Sequence, residues 1–423
     1  MIYSLPRITI NSIAIFFALL MAGCEASQEQ PIQPEKAISS EKKESKDETI
    51  SDIKRLEALG YINGVEEPGE KFDVLVHNKE QVQQGYTFFT SGGKPEGYLM
   101  DLDGNIKHTW RLSFMDVGWE YRKVGPSKNY WRHARPLPNG DVLIIFEGFG
   151  LVRIDRDSNV LWFQANKAHH DFFIKENGDI VVLTRKAHVV SRISERAILE
   201  DFITTISPEG KELSSISVLE MVENTPNLRE LLLKPQEYDG DLFHTNTVEI
   251  FDGTQAKKSK FFAAGNILTS FRNKHTVAIL DIKNKSVVWS QTGKWVGQHS
   301  PELIDDGSLV VFDNNTPINT KNRHAGSRIV IYDLQNDTIK QEFKTDPARD
   351  FYTGSCGKVE ELHNGNFLIT ESEAGRLFEL SPDFKTVVWE YILDHKTTDG
   401  KQAFIHDATR VDKKEADAWL KGK

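Results

Sequence analysis

The stretch Arg135-Pro-Leu-Pro-Asn-Gly-Asp-Val-Leu-Ile-Ile-Phe-Glu-Gly-Phe-Gly-Leu-Val-Arg-Ile-Asp-Arg-Asp-Ser-Asn-Val-Leu-Trp162 holds one complete unit of the pattern that runs through this chain. Asn139-Gly140 makes a first turn between apolar strands, Ile154-Asp155-Arg156-Asp157 makes a second, and the unit ends at a tryptophan. Asn-Gly and Asp-Gly between alternating apolar runs are strong hairpin signals, and they predict turns in which both residues accept positive φ. Working outward, the same order of strands and turns recurs five more times. Gly85 to Trp110 contains Tyr98-Leu-Met-Asp-Leu-Asp-Gly-Asn-Ile. A copy beginning at Phe172 turns at Asn177-Gly178 and Pro208-Glu209-Gly210. Thr247 to Trp289 follows, then Glu302 to Phe343 through Asp306-Gly307, and Val359 to Trp389 through Asn364-Gly365. A repeat of about fifty residues with four strands per unit predicts radial stacking. The expected fold is therefore all-β: a six-bladed β-propeller with four-stranded blades. Ser217 to Leu233 and Lys413 to Leu420 are the segments with helical periodicity.

The ring needs closure, because an open circular array leaves sheet edges that invite aggregation. Phe72 to His77 alternates like a strand and is the candidate partner for Phe404 to Val411 or for the last repeat.

Ahead of the repeats, Arg7, the apolar run Ile13 to Ala22 and the small residues Ala22-Gly23 before Cys24 read as an export signal, with an apolar run too short to span a membrane comfortably. Leu20-Met21-Ala22-Gly23-Cys24 resembles a bacterial lipobox, which makes Cys24 the expected lipidation site and acyl chains the membrane anchor. Glu25 to Ser51 is rich in Glu, Lys, Ser and Gln and reads as a tether. The expected organisation is a signal peptide at 1–23, a flexible polar tether at 24–60 and a catalytic propeller at 61–423, exported and held at the periplasmic or cell-surface side of a membrane. With Cys24 acylated, Cys356 has no partner for an intramolecular disulfide and is expected to be a buried thiol. The net charge of -10, from 52 basic and 62 acidic side chains, excludes non-specific nucleic-acid binding. An anionic substrate requires a local positive cluster instead.

Histidines recur at one place in the repeat. His170 lies seven residues before Asn177, His299 seven before Asp306, His244 eight before Asp252 and His133 six before Asn139. That position begins the innermost strand of a blade, so several blades aim an imidazole at the central channel. Two chemistries compete. Three or more imidazoles bind a metal, or one acts as nucleophile while the others and an arginine neutralise an oxyanion.

His169-His170-Asp171-Phe172, Phe243-His244-Thr245-Asn246, Ser270-Phe271-Arg272 and Gly297-Gln298-His299-Ser300 resemble, in order, the motifs of the bacterial arylsulfotransferases, as do Phe312-Asp313-Asn314 and the segment from Gly354 to Gly365. The resemblance covers roughly Gly85 to Tyr391. It implies sulfuryl transfer from an aryl sulfate ester to a phenolic acceptor with no nucleotide donor and no cofactor or metal. It also implies the roles: His299 as the residue that becomes sulfated, His170 and His244 as its partners, Asn246 and Arg272 as further site residues. His244 or His170 would carry the proton, because imidazole titrates near 6.5, and Arg272 would sit on the sulfuryl oxygens. Arg323, His324 and Arg328 are candidates for another cationic ligand. Trp295, Tyr130, Trp131 and Tyr352 are candidates for the walls that receive a phenyl ring. The competing reading is a non-catalytic or metal-binding propeller lipoprotein that holds a ligand at the axial histidines.

Overall fold

A computed structural model describes residues 48–56, 64–65, 72–118, 129–316, 326–344 and 351–421. The signal sequence, Cys24, most of the tether, Arg323 and His324 fall outside the described residues.

Six antiparallel sheets follow one another in the order the repeats predict. Blade 2 is Arg135–Trp162 made solid: His133–Pro136, Val142–Phe146, Gly150–Ile154 and Val160–Gln164, paired in sequence order from the axis outward. Blade 3 runs Ala168–Ile174, Ile180–Val189, Ala197–Ile206, Glu212–Ser217. Blade 4 runs Glu249–Ile250, Ile267–Phe271, Thr276–Asp281, Ser286–Thr292. Blade 5 runs His299–Leu303, Leu309–Asp313, Arg328–Asp333, Thr338–Phe343. In five blades the second strand is buried along its whole length, and in blade 3 it is buried from Ile180 to Arg185, where it is flanked by sheets on both faces.

The ring closes with both ends of the chain. Ile405–Val411 supplies the innermost strand of blade 1, beside Tyr86–Ser91, Lys94–Met100 and Ile106–Arg111. Asp73–His77 adds a fifth, outermost strand to blade 6, whose own strands are Lys358–Glu361, Phe367–Glu371, Arg376–Leu380 and Val387–Ile392. Of the two partners open to Phe72–His77, the last repeat is the one it takes.

The turns differ in detail from expectation. Gly140 has φ 85°, but Asn139 is not among the positive-φ residues. Gly140 N donates to Leu137 O at 2.9 Å, and Asn139 Oδ1 accepts from Asp141 N at 3.2 Å. The turn is thus of the kind in which only the glycine is left-handed and the Asx side chain braces the exit. The same side-chain brace recurs at Asn177, Asp306 and Asn364.

Tryptophans at the ends of the outer strands tie blade to blade. Trp110 Nε1 donates to Gly140 O at 3.0 Å, Trp162 Nε1 to Pro208 O at 2.9 Å and Trp389 Nε1 to Leu102 O at 2.9 Å, each reaching a turn of the next blade. An indole buries a large apolar face while its N–H satisfies a turn carbonyl, which explains why the repeat ends on tryptophan.

The two helical segments form. Val218–Glu223 is an α-helix capped by Ser217 and followed by the 3-10 turn Pro226–Leu232, packed between blades 3 and 4. Lys413–Leu420 is a helix capped by Asp412 that seats Trp419 against Trp110. One correction concerns the tether. Residues 48–56 are helical, with Asp52 paired to Arg196 at 2.8 Å and Leu56 packed on Ala197 and Leu199, and they belong to the compact unit Glu48–Lys423. Composition hides this because a few anchoring residues, Asp52, Ile53, Arg55 and Leu56, suffice to dock an otherwise polar helix.

Candidate active site

Bulges at the start of the innermost strands turn side chains toward the axis. Pairing slips between Ala168 and Phe172, between His299 and Glu302 and between Ile405 and Ala408. His170 (φ 53°) and Ser300 (φ 46°) take the left-handed conformation within these bulges, and His244 (φ 52°) and Cys356 (φ 60°) take it just ahead of the innermost strands of blades 4 and 6. Non-glycine residues pay about 1 kcal/mol for that conformation, and its recurrence around one axis marks a functional locus.

His299 is the best-defined member. Its Nδ1 lies 2.7 Å from Asn314 Oδ1. The Asn314 amide nitrogen donates to Thr353 O at 2.8 Å and Cys356 O at 2.9 Å, so both its hydrogens are committed and its oxygen must accept. His299 therefore carries its proton on Nδ1, and Nε2 presents a lone pair. Burial lowers its pKa well below 6.5, and the charge of Arg272 lowers it further.

Blade 4 delivers three of the expected residues by one network. Gln298 is fully buried and its amide donates to Ser270 Oγ (2.9 Å), Thr276 O (3.0 Å) and Phe271 O (3.3 Å). Asn246 Nδ2 donates to Gln298 O at 2.9 Å, so Asn246 holds the peptide that bears His299. Arg272 starts a turn whose N–H reaches His244 O at 3.4 Å. His244 Nδ1 is 2.5 Å from Asp241 Oδ2; burial pushes Asp241 up, but the imidazole outweighs it and holds the carboxyl below its usual range.

His170 packs edge to face on His244, ring centroids 4.8 Å apart, and its Nδ1 lies 2.9 Å from that of His169. Glu147 accepts from His170 N at 3.1 Å and stands 3.7 Å from both Arg132 and Arg185. Burial first, then Arg185 for His169 and Arg132 for His170, lower both imidazoles well below 6.5. His169 and His170 are therefore neutral while the guanidiniums beside them are positive, an arrangement fitted to an anion.

Several expected residues are placed elsewhere. Arg328 gives Nε to Asp313 and Nη1 to Glu342, both at 2.6 Å, and Nη2 to Lys294 O, so it serves blade 5 as a structural cross-link. Trp295 is fully buried and edge-on to Tyr332 in the core between blades 4 and 5. Trp131 is likewise core, donating to Leu112 O. Tyr352 is tied through its N–H to Glu371. Tyr130 meets an axial residue, its ring stacking on His406 with centroids 4.5 Å apart. His133 sits one step along the channel, between Asp407 at 3.0 Å and Asp171 at 3.2 Å. Sequence spacing missed His406, since its strand follows the last repeat and no turn comes after it to count back from. Glu147, Arg132, Arg185 and Asp241 carried no spacing signal; Asn314 lay in plain view within Phe312-Asp313-Asn314.

Comparison with known proteins adds the family. Residues 133–394, more than half of the chain, match the model of the arylsulfotransferase (ASST) family. No curated protein sequence matches the chain significantly. Among solved structures, a protein of unknown function from Bacteroides caccae is 15% identical with a TM-score of 0.49, over 73% of this chain and 94% of that one. A streptogramin B lyase is 12% identical with a TM-score of 0.43, over 83% and 97%. A functionally unknown protein from Desulfotomaculum acetoxidans is 12% identical with a TM-score of 0.41, over 78% and 100%. Likeness at this level carries nothing about chemistry, whereas the family match spans His170, His244, Arg272 and His299 and supports aryl sulfotransfer as the general activity: the chain belongs to the arylsulfotransferase family.

Proposed function

We propose that this protein moves a sulfuryl group from an aryl sulfate ester to a phenolic acceptor, without a nucleotide donor, by way of a sulfohistidine on His299. The observation that carries the reading is the Asn314 clamp, which leaves Nε2 of a neutral, buried imidazole as a nucleophile. In the first half-reaction Nε2 attacks sulfur, the sulfur–oxygen bond to the aryl group breaks, and the bond pair leaves on the phenolate oxygen. In the second, the acceptor oxygen attacks sulfur and the N–S pair returns to Nε2. Positioning and charge neutralisation do most of the work, as in phosphoryl transfer.

His244 suits the proton role better than His170. Asp241 orients its ring and stabilises the imidazolium, as a carboxylate does in other histidine-based relays. Protonated His244 donates to the leaving phenolate and recovers the proton from the acceptor phenol. Arg272, whose charge already acts on His299, balances the sulfuryl oxygens. Asn246 is a positioning residue, acting through the Gln298 peptide. Export and acylation at Cys24 belong to the same proposal, supported by the order of charged, apolar and small residues at 1–24.

A metal-dependent reading has one observation in its favour: ligand atoms of Glu147, His169 and His170 lie within 4.8 Å of one another. Two guanidiniums at 3.7 Å from the same carboxylate oppose a cation there. Brief exposure to 4-nitrophenyl sulfate, followed by mass spectrometry, separates the two. Sulfotransfer predicts an adduct of about 80 Da, the mass of SO3, on the peptide carrying His299, insensitive to chelators. An adduct elsewhere, or full turnover by His299→Ala, would sink the nucleophile assignment.

A further inference from the structure

His406 occupies the ring layer of the proposed nucleophile on the far flank. Both begin an innermost strand at a bulge, one on blade 1 and the other on blade 5. The two are joined through blade 6: Asn314 bonds His299 and the carbonyl of Cys356, and Cys356 Sγ lies 4.0 Å from His406 Nδ1. Arg132 acts electrostatically on His170, His299 and His406 alike. His406 is 3% exposed, yet its Nε2 has no hydrogen-bond partner among the described residues. Burying a polar nitrogen without a partner costs about 1–3 kcal/mol, and such atoms in native proteins call for a ligand or a catalytic use. The position lies beyond the residues that the family model matches.

The proton role falls to His244 on blade 4, on the opposite side of His299, so the reacting oxygen is already served. On the side toward blades 6 and 1 the aromatic ring beside His406 is that of Tyr130, stacked on it with planes 18° apart. Burial pushes the Cys356 thiol up, so it stays S–H and can donate to Nδ1, 4.0 Å away. With the thiol as donor, Nε2 bears the ring proton and is free to donate in turn.

We propose that His406 selects substrates by a second oxygen on the aromatic ring, its Nε2–H donating to a hydroxyl or oxyanion other than the reacting one. The inference rests on the aryl sulfotransfer reading for its substrate class, and its test separates the two. Acceptor preference is measured with 4-nitrophenyl sulfate as donor and phenol, catechol, resorcinol or hydroquinone as acceptor. Affinity is measured without turnover from the absorbance shift of 4-nitrocatechol against 4-nitrophenol. His406→Asn keeps an amide toward Cys356 but removes Nε2; His406→Gln places an amide near the Nε2 position.

The native protein should favour at least one dihydroxybenzene over phenol, and 4-nitrocatechol over 4-nitrophenol, by about tenfold, the worth of one buried hydrogen bond. His406→Asn should bring both ratios near one and His406→Gln should restore part of them. A structural role alone would scale both members of each pair alike and leave the ratios unchanged, which overturns the proposal, as does a native protein with no preference. Absence of turnover with every acceptor, together with a nitrocatechol preference lost in His406→Asn, would overturn sulfotransfer and uphold His406.

Discussion

Asn314 shows how one side chain fixes the tautomer of a buried histidine. Its carbonyl accepts a hydrogen bond from the Nδ1–H of His299 because both hydrogens of its amino group are held by Thr353 O and Cys356 O. Asn314→Ala should let both tautomers of His299 coexist and lower kcat by about 10–100-fold, in line with the loss of an orienting partner. Nitrogen-15 chemical shifts of the His299 ring check the cause, since a merely loosened fold would not interchange the two nitrogens. A related expectation concerns pH. Burial and Arg272 lower the pKa of His299, so Nε2 keeps its lone pair at pH values below the ordinary 6.5. The rate of adduct formation should therefore hold on the acid side of 6.5, as read from quenched-flow labelling. If labelling instead collapses around pH 6.5, His299 is not in the neutral environment that the clamp and its burial create.

At the scale of elements, Ile405–Val411 has the largest consequence. It follows all six repeats, yet it forms the inner edge of the first blade, pairing with Tyr86–Ser91 and carrying His406 and Asp407 to the axis. A chain ending at Ala403 leaves Tyr86–Ser91, buried at every residue, as an open edge, and strips the Lys413–Leu420 helix with Trp419 from Trp110. It should lose its cooperative unfolding transition and aggregate, as measured by calorimetry and light scattering. A soluble truncated protein with the native transition temperature would show that the strand is dispensable. Periodicity located this segment as a candidate for closure, but it could not choose between two partners for Phe72–His77. The choice depends on which edge of the closed ring remains open once Ile405–Val411 has filled the inner position of blade 1.

Across the whole molecule, the innermost strands bring Asp171, Glu249, Glu302, Glu360 and Asp407 into the channel together with Arg135, His133 and Lys358. Burial pushes Asp407 up, but Arg135 and His133 beside it win and hold it down to about 2. Among the described residues Glu249 has no such partner, and burial carries it up to about 8. In the unfolded chain a glutamate titrates near about 4.3, so between that value and 8 the folded state binds the extra proton. Stability from this group therefore falls as pH rises toward 8. The buried imidazoles act in the opposite sense: their lowered pKa values make the folded state lose stability as pH falls below 6.5. Glu249→Gln, which retains an oxygen for Leu303 N, should raise Tm by several degrees at pH 8.5 and by little at pH 5. An equal gain at both pH values would show that ionisation of Glu249 is not the source.

The number of blades, the strands in each, the tryptophan at the end of the unit and the layer of axial histidines were all legible in the sequence. Each depends on local turn chemistry and on a period that survives in any single repeat. Arg328 and Trp295 show the limit. A basic residue after Phe312-Asp313-Asn314 and an indole just before Gln298-His299 look alike in sequence whether they face the axis or the blade core. The bulge geometry and the partners across the sheet decided for Asp313 and Glu342 in one case and for Tyr332 in the other. His406, Glu147 and Arg132 reach the histidines from segments distant in sequence, so no spacing rule could join them. His406 in particular depends on a closed ring, because only closure sets the first and last strands of the propeller side by side.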